Sequence, residues 1–171
     1  MKNILLIGFM GVGKGSVARE VIKLSDFVSV DTDDLIESME NRVVKKIFEQ
    51  SGETYFRNLE KKIALWLEQN VTNTLISTGG GFYKQENLKD IGIVVFLNSP
   101  FDKIIKRIKN HPNAVKKLKK RPLLNDLKKA KELYNERLPQ YAAVADITID
   151  VTDKSAIDCA KELLQKVKQY A

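Results

Sequence analysis

A single cysteine, Cys159, leaves this chain without an internal disulfide and without any cysteine-cluster metal site. It falls inside a helical pattern, where packing in or near the core is its expected role. Histidine is as scarce. His111 is the only one, has no triad or metal partner in sight, and reads as an exposed loop residue. Long apolar runs are missing too. The amino-terminal run is too short for a signal peptide and passes into a glycine-rich loop rather than a small-residue cleavage site. Nothing reaches the length of a membrane span, so the cytoplasm is the expected compartment. The formal net charge of +7 suggests anionic partners. Yet the densest basic run, Lys116 to Arg121, lacks interleaved aromatics, and no nucleic-acid module pattern occurs. A polyphosphate substrate accounts for the charge better, and neither nucleic acid nor membrane is an expected partner. What remains is ordinary: 171 residues, 43% hydrophobic and 30% charged, which fit one soluble domain over residues 1–171. No linker, repeat or obvious apolar surface stripe appears, and a monomer is expected.

The first sixteen residues organise the rest. Ile4 to Ile7 form a short continuous apolar run that reads as a strand buried on both faces. Gly8, Gly11 and Gly13 then make a loop whose backbone can approach a ligand closely, and a helix starts at Lys14 with Val17, Ala18, Val21 and Ile22 on its apolar side. Strand, loop and helix fall where a P-loop needs them: backbone N–H groups and a helix N-terminus face phosphates, and Lys14 reaches the β/γ oxygens. Gly11, Val12, Gly13, Lys14, Gly15 and Ser16 are the expected nucleotide-binding residues. One position departs from the pattern. The residue after the lysine normally carries a hydroxyl that ligates magnesium, and here it is Gly15, with Ser16 one step later. Lys14-Gly15-Ser16 resembles the Lys-Gly-Thr of adenylate kinases. Mg²⁺ is still expected with ATP, with Ser16 on the α-phosphate and water at the missing ligand position.

Downstream, apolar strands are expected at 27–30, 74–77, 93–97 and 146–150, alternating with helices. The second strand ends in Asp31-Thr32-Asp33-Asp34. These residues either cap a helix or, at a strand's carboxyl end, orient an acceptor hydroxyl or hold magnesium through water. A short helix over 43–50 and a longer one over 53–70 follow, the latter with Phe56, Leu59, Ile63 and Leu67 inward. Arg57 has Glu53 at i−4 and Glu60 at i+3, the spacing of ordinary ion pairs. Gly79-Gly80-Gly81 is more glycine than a bare turn needs, which points to a ligand close to the backbone. A short helix is expected over 84–90. Ser99 is the expected N-cap of a helix carrying Phe101, Ile104, Ile105 and Ile108 inward, with Lys106, Arg107 and Lys109 on its polar side. Residues 111–124 break the pattern and read as a basic lid loop. Asn125 is the expected cap of a helix over 126–137 that stops before Pro139, and its Arg137 has no local carboxylate partner. Lys154 to Tyr170 closes the chain as a helix with Ile157, Ala160, Leu164 and Val167 on one face. The whole is an α/β three-layer arrangement on a parallel sheet.

Together, Gly8-to-Lys14, Asp31-Thr-Asp33, Phe56-Arg57, Gly79-Gly80-Gly81, Arg121-Pro-Leu-Leu124 and Glu136-Arg137-Leu-Pro139-Gln-Tyr141 resemble the shikimate kinases over nearly the whole chain. The resemblance implies the P-loop NTPase fold of the nucleoside monophosphate kinases, with a five-stranded sheet in order 2-3-1-4-5 and a lid at about 110–124. It implies transfer of the ATP γ-phosphate to the shikimate 3-hydroxyl. It makes Arg57 and Arg137 the clamp on the substrate carboxylate, Gly79, Gly80 and Gly81 its backbone cradle, and Phe48 and Phe56 the walls of its ring. Asp33 becomes the candidate base, Asp31 a water-mediated magnesium contact, and Ser77 a further, indirect one. Arg121 becomes the lid arginine and Arg107 the residue against adenine. With Lys14, Asp33 and Arg121 form the expected catalytic set. Two other readings stay open here: another small-molecule or nucleotide kinase of this fold, and an ATP-binding module without catalysis.

Overall fold

A computed structural model describes residues 2–119 and 122–170. Five parallel strands lie in the order β2-β3-β1-β4-β5: β1 (Asn3–Ile7), β2 (Val28–Asp31), β3 (Thr74–Ser77), β4 (Gly92–Asn98) and β5 (Ile147–Asp150). β1, β3 and most of β4 are buried on both faces, as the continuous apolar runs at their centres require. β5, at one edge, alternates buried and exposed residues. Asn3 fixes the lower end of the sheet. Its amide donates to Val71 O (2.7 Å) and Ile91 O (3.0 Å) and accepts from Thr74 N (3.0 Å), so one buried polar side chain, fully engaged, ties β1 to what precedes both its neighbours.

The helices are α1 (Lys14–Lys23), α2 (Thr32–Glu40), α3 (Val44–Asn70), α4 (Leu88–Ile91), α5 (Phe101–Lys109), α6 (Ala114–Lys119), α7 (Leu127–Val144) and α8 (Ala156–Tyr170). α1 packs against α8 and α2 against α3. Cys159 is buried, as expected. The buried face of α8 is Cys159, Ala160, Leu163 and Val167, whereas Ile157 is exposed.

The two helices expected over 43–50 and 53–70 are present: they meet within α3 at a kink at Gly52, whose φ of 81° and ψ of 173° lie outside helical space. Other expectations give way to tertiary structure. The helix expected over 84–90 is a 3₁₀ turn (Phe82–Lys84) followed by the four residues of α4. Ser99 does not cap α5. Pro100 holds the N-cap position, and Ser99 instead accepts a hydrogen bond from the Tyr134 hydroxyl at its carbonyl (3.0 Å). The lid segment is not a plain loop: it carries α6 and a 3₁₀ turn, Pro122–Asn125. His111 is only half exposed, and its Nδ1 accepts from Asn113 N (3.0 Å). Asp126, not Asn125, caps α7 by accepting from Lys129 N (3.1 Å), and α7 runs through Pro139 to Val144. It survives the proline because Tyr141, two residues on, is anchored. The Tyr141 ring stacks on Phe96 at 5.3 Å and meets Tyr83 at 4.7 Å, while its hydroxyl donates to Gly80 O (2.6 Å).

Candidate active site

The register sets Leu6 beside Ser77 and Ser77 beside Asp31, so β1, β3 and β2 end level with one another. The glycine loop after β1, the acidic cluster after β2 and the glycine triplet after β3 therefore share the carboxyl edge of the sheet, where open α/β sheets bind ligands. Ser77 itself is buried in the ladder.

In the glycine loop, Gly11 (φ 84°) has no room for a side chain. A Cβ there would come within 3.0 Å of the Ile108 side chain, so α5 forms the floor of the loop. Gly13 occupies the left-handed N-cap position of α1 with φ 110°. Val12 is buried and turns inward, its N–H bonding Phe9 O (3.2 Å), so it shapes the turn rather than offering a donor at the mouth. Lys14 arches over the loop, its Nζ donating to Gly8 O (2.7 Å) and Phe9 O (3.2 Å). Gly15 is exposed, and Ser16 Oγ accepts from Arg19 Nη2 at 3.3 Å. Arg107 is not simply on the polar side of α5. Its Nη1 donates to Val12 O (2.6 Å) and its Nη2 to Val151 O (2.7 Å), strapping the glycine loop to the segment after β5.

The acidic cluster divides its labour. Asp31 Oδ1 accepts from Asp33 N (2.9 Å) and Asp34 N (3.4 Å), which makes Asp31 the N-cap of α2. Asp33 turns into the site, and its Oδ1 is buried with no hydrogen-bond partner among the described residues. Burial pushes the Asp33 carboxyl up to about 7, with the negative charges of Asp31 and Glu60 adding to the rise and Lys14 opposing it.

The glycine triplet packs against all three groups singled out for substrate. A Cβ on Gly79 would come within 3.0 Å of Asp33 Oδ1, one on Gly81 within 3.0 Å of the Arg57 guanidinium, and one on Gly80 would stand 3.1 Å from Arg137 Nη1. Glycine is what lets a carboxylate and two guanidiniums close on one stretch of backbone. Gly79 is held by its N–H bonding Thr32 Oγ1 (3.0 Å), and Thr78 by its hydroxyl bonding Leu6 O (2.8 Å).

Arg57 makes both ion pairs that its spacing allows, with Glu53 at 3.1 Å and Glu60 at 2.6 Å. Glu60 is fully buried, and its Oε1 has no partner among the described residues. Burial raises the Glu60 carboxyl, and Arg57 only partly pulls it back. Burial lowers the Arg57 guanidinium, but its bonds to Glu60 and Glu53 outweigh this and hold it above its ordinary value. Arg137, buried in mid-helix, donates to Gly80 O (3.0 Å), the carbonyl that also accepts from Tyr141. Burial pushes the Tyr141 hydroxyl up to about 12, so it stays a donor. Phe48 and Phe56 face each other across the Gly52 bend with ring centroids 4.6 Å apart, and Arg57 lies over the Phe56 ring at 5.6 Å.

Every expected site residue but one is thus located at this edge or directly beneath it. Arg121 lies outside the described residues. Thr32, Thr78 and Tyr141 support the triplet, and no role for them was readable from local sequence. Thr32 could have been suspected from its place inside the acidic cluster, and Tyr141 only from its motif.

This chain is similar to known proteins over nearly its whole length. The family profile described as shikimate kinase matches residues 10–168. The shikimate kinase of Helicobacter hepaticus is 38% identical over 165 residues, covering 96% of this chain and 95% of that one. The enzyme of Caldanaerobacter subterraneus is 39% identical over 172 residues, covering 96% and 95%. Among solved structures, the shikimate kinase from Acinetobacter baumannii in complex with shikimate superposes with a TM-score of 0.87 at 33% identity, over 99% of this chain and 94% of that one.

Proposed function

The chain belongs to the shikimate kinase family, and on that footing we propose how its residues move the ATP γ-phosphoryl group to the 3-hydroxyl of shikimate. The observation that carries the reading is the closure of Asp33, Arg57 and Arg137 on Gly79-Gly80-Gly81, beside the glycine loop. Two planar guanidiniums on adjacent backbone positions suit one carboxylate. Glu60 fixes Arg57 from behind, and Tyr141 and Gly80 O fix Arg137, so neither arginine needs to reorganise when substrate arrives. Phe48 and Phe56 cover the apolar side of the ring.

Asp33 Oδ1 is the acceptor for the attacking hydroxyl's proton. With its carboxyl near 7, the ionised form is available at neutral pH and basic enough to take that proton as the new bond to phosphorus forms. The leaving group is ADP. Lys14 leaves the Gly8 and Phe9 carbonyls for the β/γ oxygens, and the amides at the start of α1 receive the remaining charge. Arg121 is assigned by its motif alone to close the lid over the transferring group, and Arg107 to the adenine side.

Mg²⁺ would come with ATP and supply positive charge against the phosphates. Asp31 would hold it through water, with Ser16 on the α-phosphate; the described residues contain no group of three or more His, Cys, Asp or Glu side chains that could hold a metal. The enzyme acts as a cytoplasmic monomer on dissolved small molecules. No helix among the described residues is long and apolar enough to cross a membrane.

The test is ADP release in a coupled assay with Mg·ATP and, in turn, shikimate, gluconate, AMP or no acceptor. Release is expected with shikimate only. Release with another acceptor would overturn the substrate assignment, and none with any acceptor would favour an ATP-binding module without catalysis.

A further inference from the structure

Gly15 removes the hydroxyl that ordinarily follows the P-loop lysine, and the structure shows what stands in its place. Arg19 lies four residues after Gly15 and three after Ser16, on the same face of α1. Helical side chains lean toward the N-terminus, so a long side chain at position 19 reaches back over the first turn. Arg19 does so: its Nη2 donates to Ser16 Oγ at 3.3 Å, and a Cβ placed on Gly15 would stand 3.7 Å from its Nη1.

The placement is electrostatically adverse on its own. The N-terminus of a helix favours anions and disfavours cations. α1 has no acidic residue in its first turn, and Lys14 is already there. Nor does Arg19 form an ion pair among the described residues: its neighbour Glu20 pairs with Lys23 instead (2.8 Å). Two cations at the positive end of one helix are compensated by a polyanion. The absent side chain at position 15 leaves the path from guanidinium to that polyanion open.

We propose that Arg19 is a phosphate-binding residue of this enzyme, its guanidinium bonding the ATP phosphates beside Ser16. It supplies directly some of the positive charge that a hydroxyl at position 15 would recruit by holding a metal ion. The proposal rests on the reading of residues 8–16 as the ATP site. It makes nucleotide binding by this chain less dependent on Mg²⁺ than in a chain with serine at position 15.

The experiment is calorimetric titration of ADP into the full-length protein, with excess EDTA and again with saturating Mg²⁺. It compares the unsubstituted chain with Arg19→Gln, Arg19→Lys, Gly15→Ser with Arg19→Gln, and Lys14→Ala. Arg19 is exposed, so its substitutions should leave the melting temperature unchanged, which is checked first. Arg19→Gln should weaken ADP about tenfold in EDTA, the worth of one charge-assisted contact, and by much less in Mg²⁺. Arg19→Lys should recover part of the loss. Adding Gly15→Ser to Arg19→Gln should restore affinity only when Mg²⁺ is present. If Arg19→Gln binds ADP in EDTA as tightly as the unsubstituted chain while Lys14→Ala does not, the proposal is overturned and the ATP site stands. If Lys14→Ala is also without effect, the reading of the site falls with it.

Discussion

Asp33 is the residue on which chemistry and stability pull in opposite directions. Its folded carboxyl titrates near 7, against 3.8 for the ordinary group. Because the folded value is raised, the folded protein holds this proton more tightly than the unfolded chain. Its stabilising contribution is complete below about pH 4 and is lost as pH rises through 7. Asp33→Asn should therefore abolish turnover yet raise the melting temperature at pH 8, by the equivalent of about 1–3 kcal/mol, with the gain vanishing near pH 4. A melting difference independent of pH would contradict this. In the active protein, kcat/KM should fall about tenfold per unit below pH 7. Arg137 works by geometry rather than titration. Arg137→Lys keeps the charge but not the fork, and should raise the KM for shikimate about tenfold while leaving that for ATP unchanged. At this scale the sequence was readable only in part. The four acidic and hydroxyl residues 31–34 look alike as a string, and nothing local says that Asp31 caps while Asp33 turns inward. Arg57 has the spacing of a plain ion-pair residue and makes those pairs; its place against Gly81 comes from tertiary closure alone.

Among the elements, the bend in α3 is the one whose removal is most informative. Gly52 has a backbone that L side chains rarely adopt, yet nothing lies within 4 Å of where a Cβ would be. Gly52→Ala therefore tests backbone strain without steric clash. It should destabilise by about 1–3 kcal/mol, a fall of several degrees in melting temperature at this chain length. It should also raise the KM for shikimate, because the bend sets the Phe48–Phe56 pair and the approach of Arg57. A variant with unchanged melting and unchanged KM would show that the bend is incidental. Strands and long amphipathic helices were legible from periodicity, since their burial follows from their own sequence. The ends of elements were not. Pro139 reads as a stop, and only the anchoring of Tyr141 on Phe96, Tyr83 and Gly80 explains why α7 continues and carries Arg137 in its interior. In the same way, Arg107 reads as a polar-face residue until α5 is seen to lie under the glycine loop.

For the molecule as a whole, Cys159 provides a probe of global opening. It is buried, and burial pushes its thiol up, so a thiol reagent has access only when the fold opens. Labelling by an aromatic disulfide should be orders of magnitude slower in native buffer than in guanidinium, and slower again with ADP and shikimate present. Prompt stoichiometric labelling of the native protein would contradict the packing of α8. The strand order was not derivable from alternation of strands and helices, which gives a parallel sheet but not its sequence of neighbours; that came from the motifs taken together. The order also bears on how the chain is made. β1 lies at the centre of the sheet, and its partners are residues 75–77 on one side and 92–96 on the other. As the chain leaves the ribosome, β1 emerges before either partner exists. It must wait as an unpaired apolar segment through the synthesis of about 70 residues, and half-paired for about 20 more, the interval in which a nascent chain is most open to chaperones and to aggregation. The ATP loop that β1 carries is therefore translated well before the strands that hold it in place.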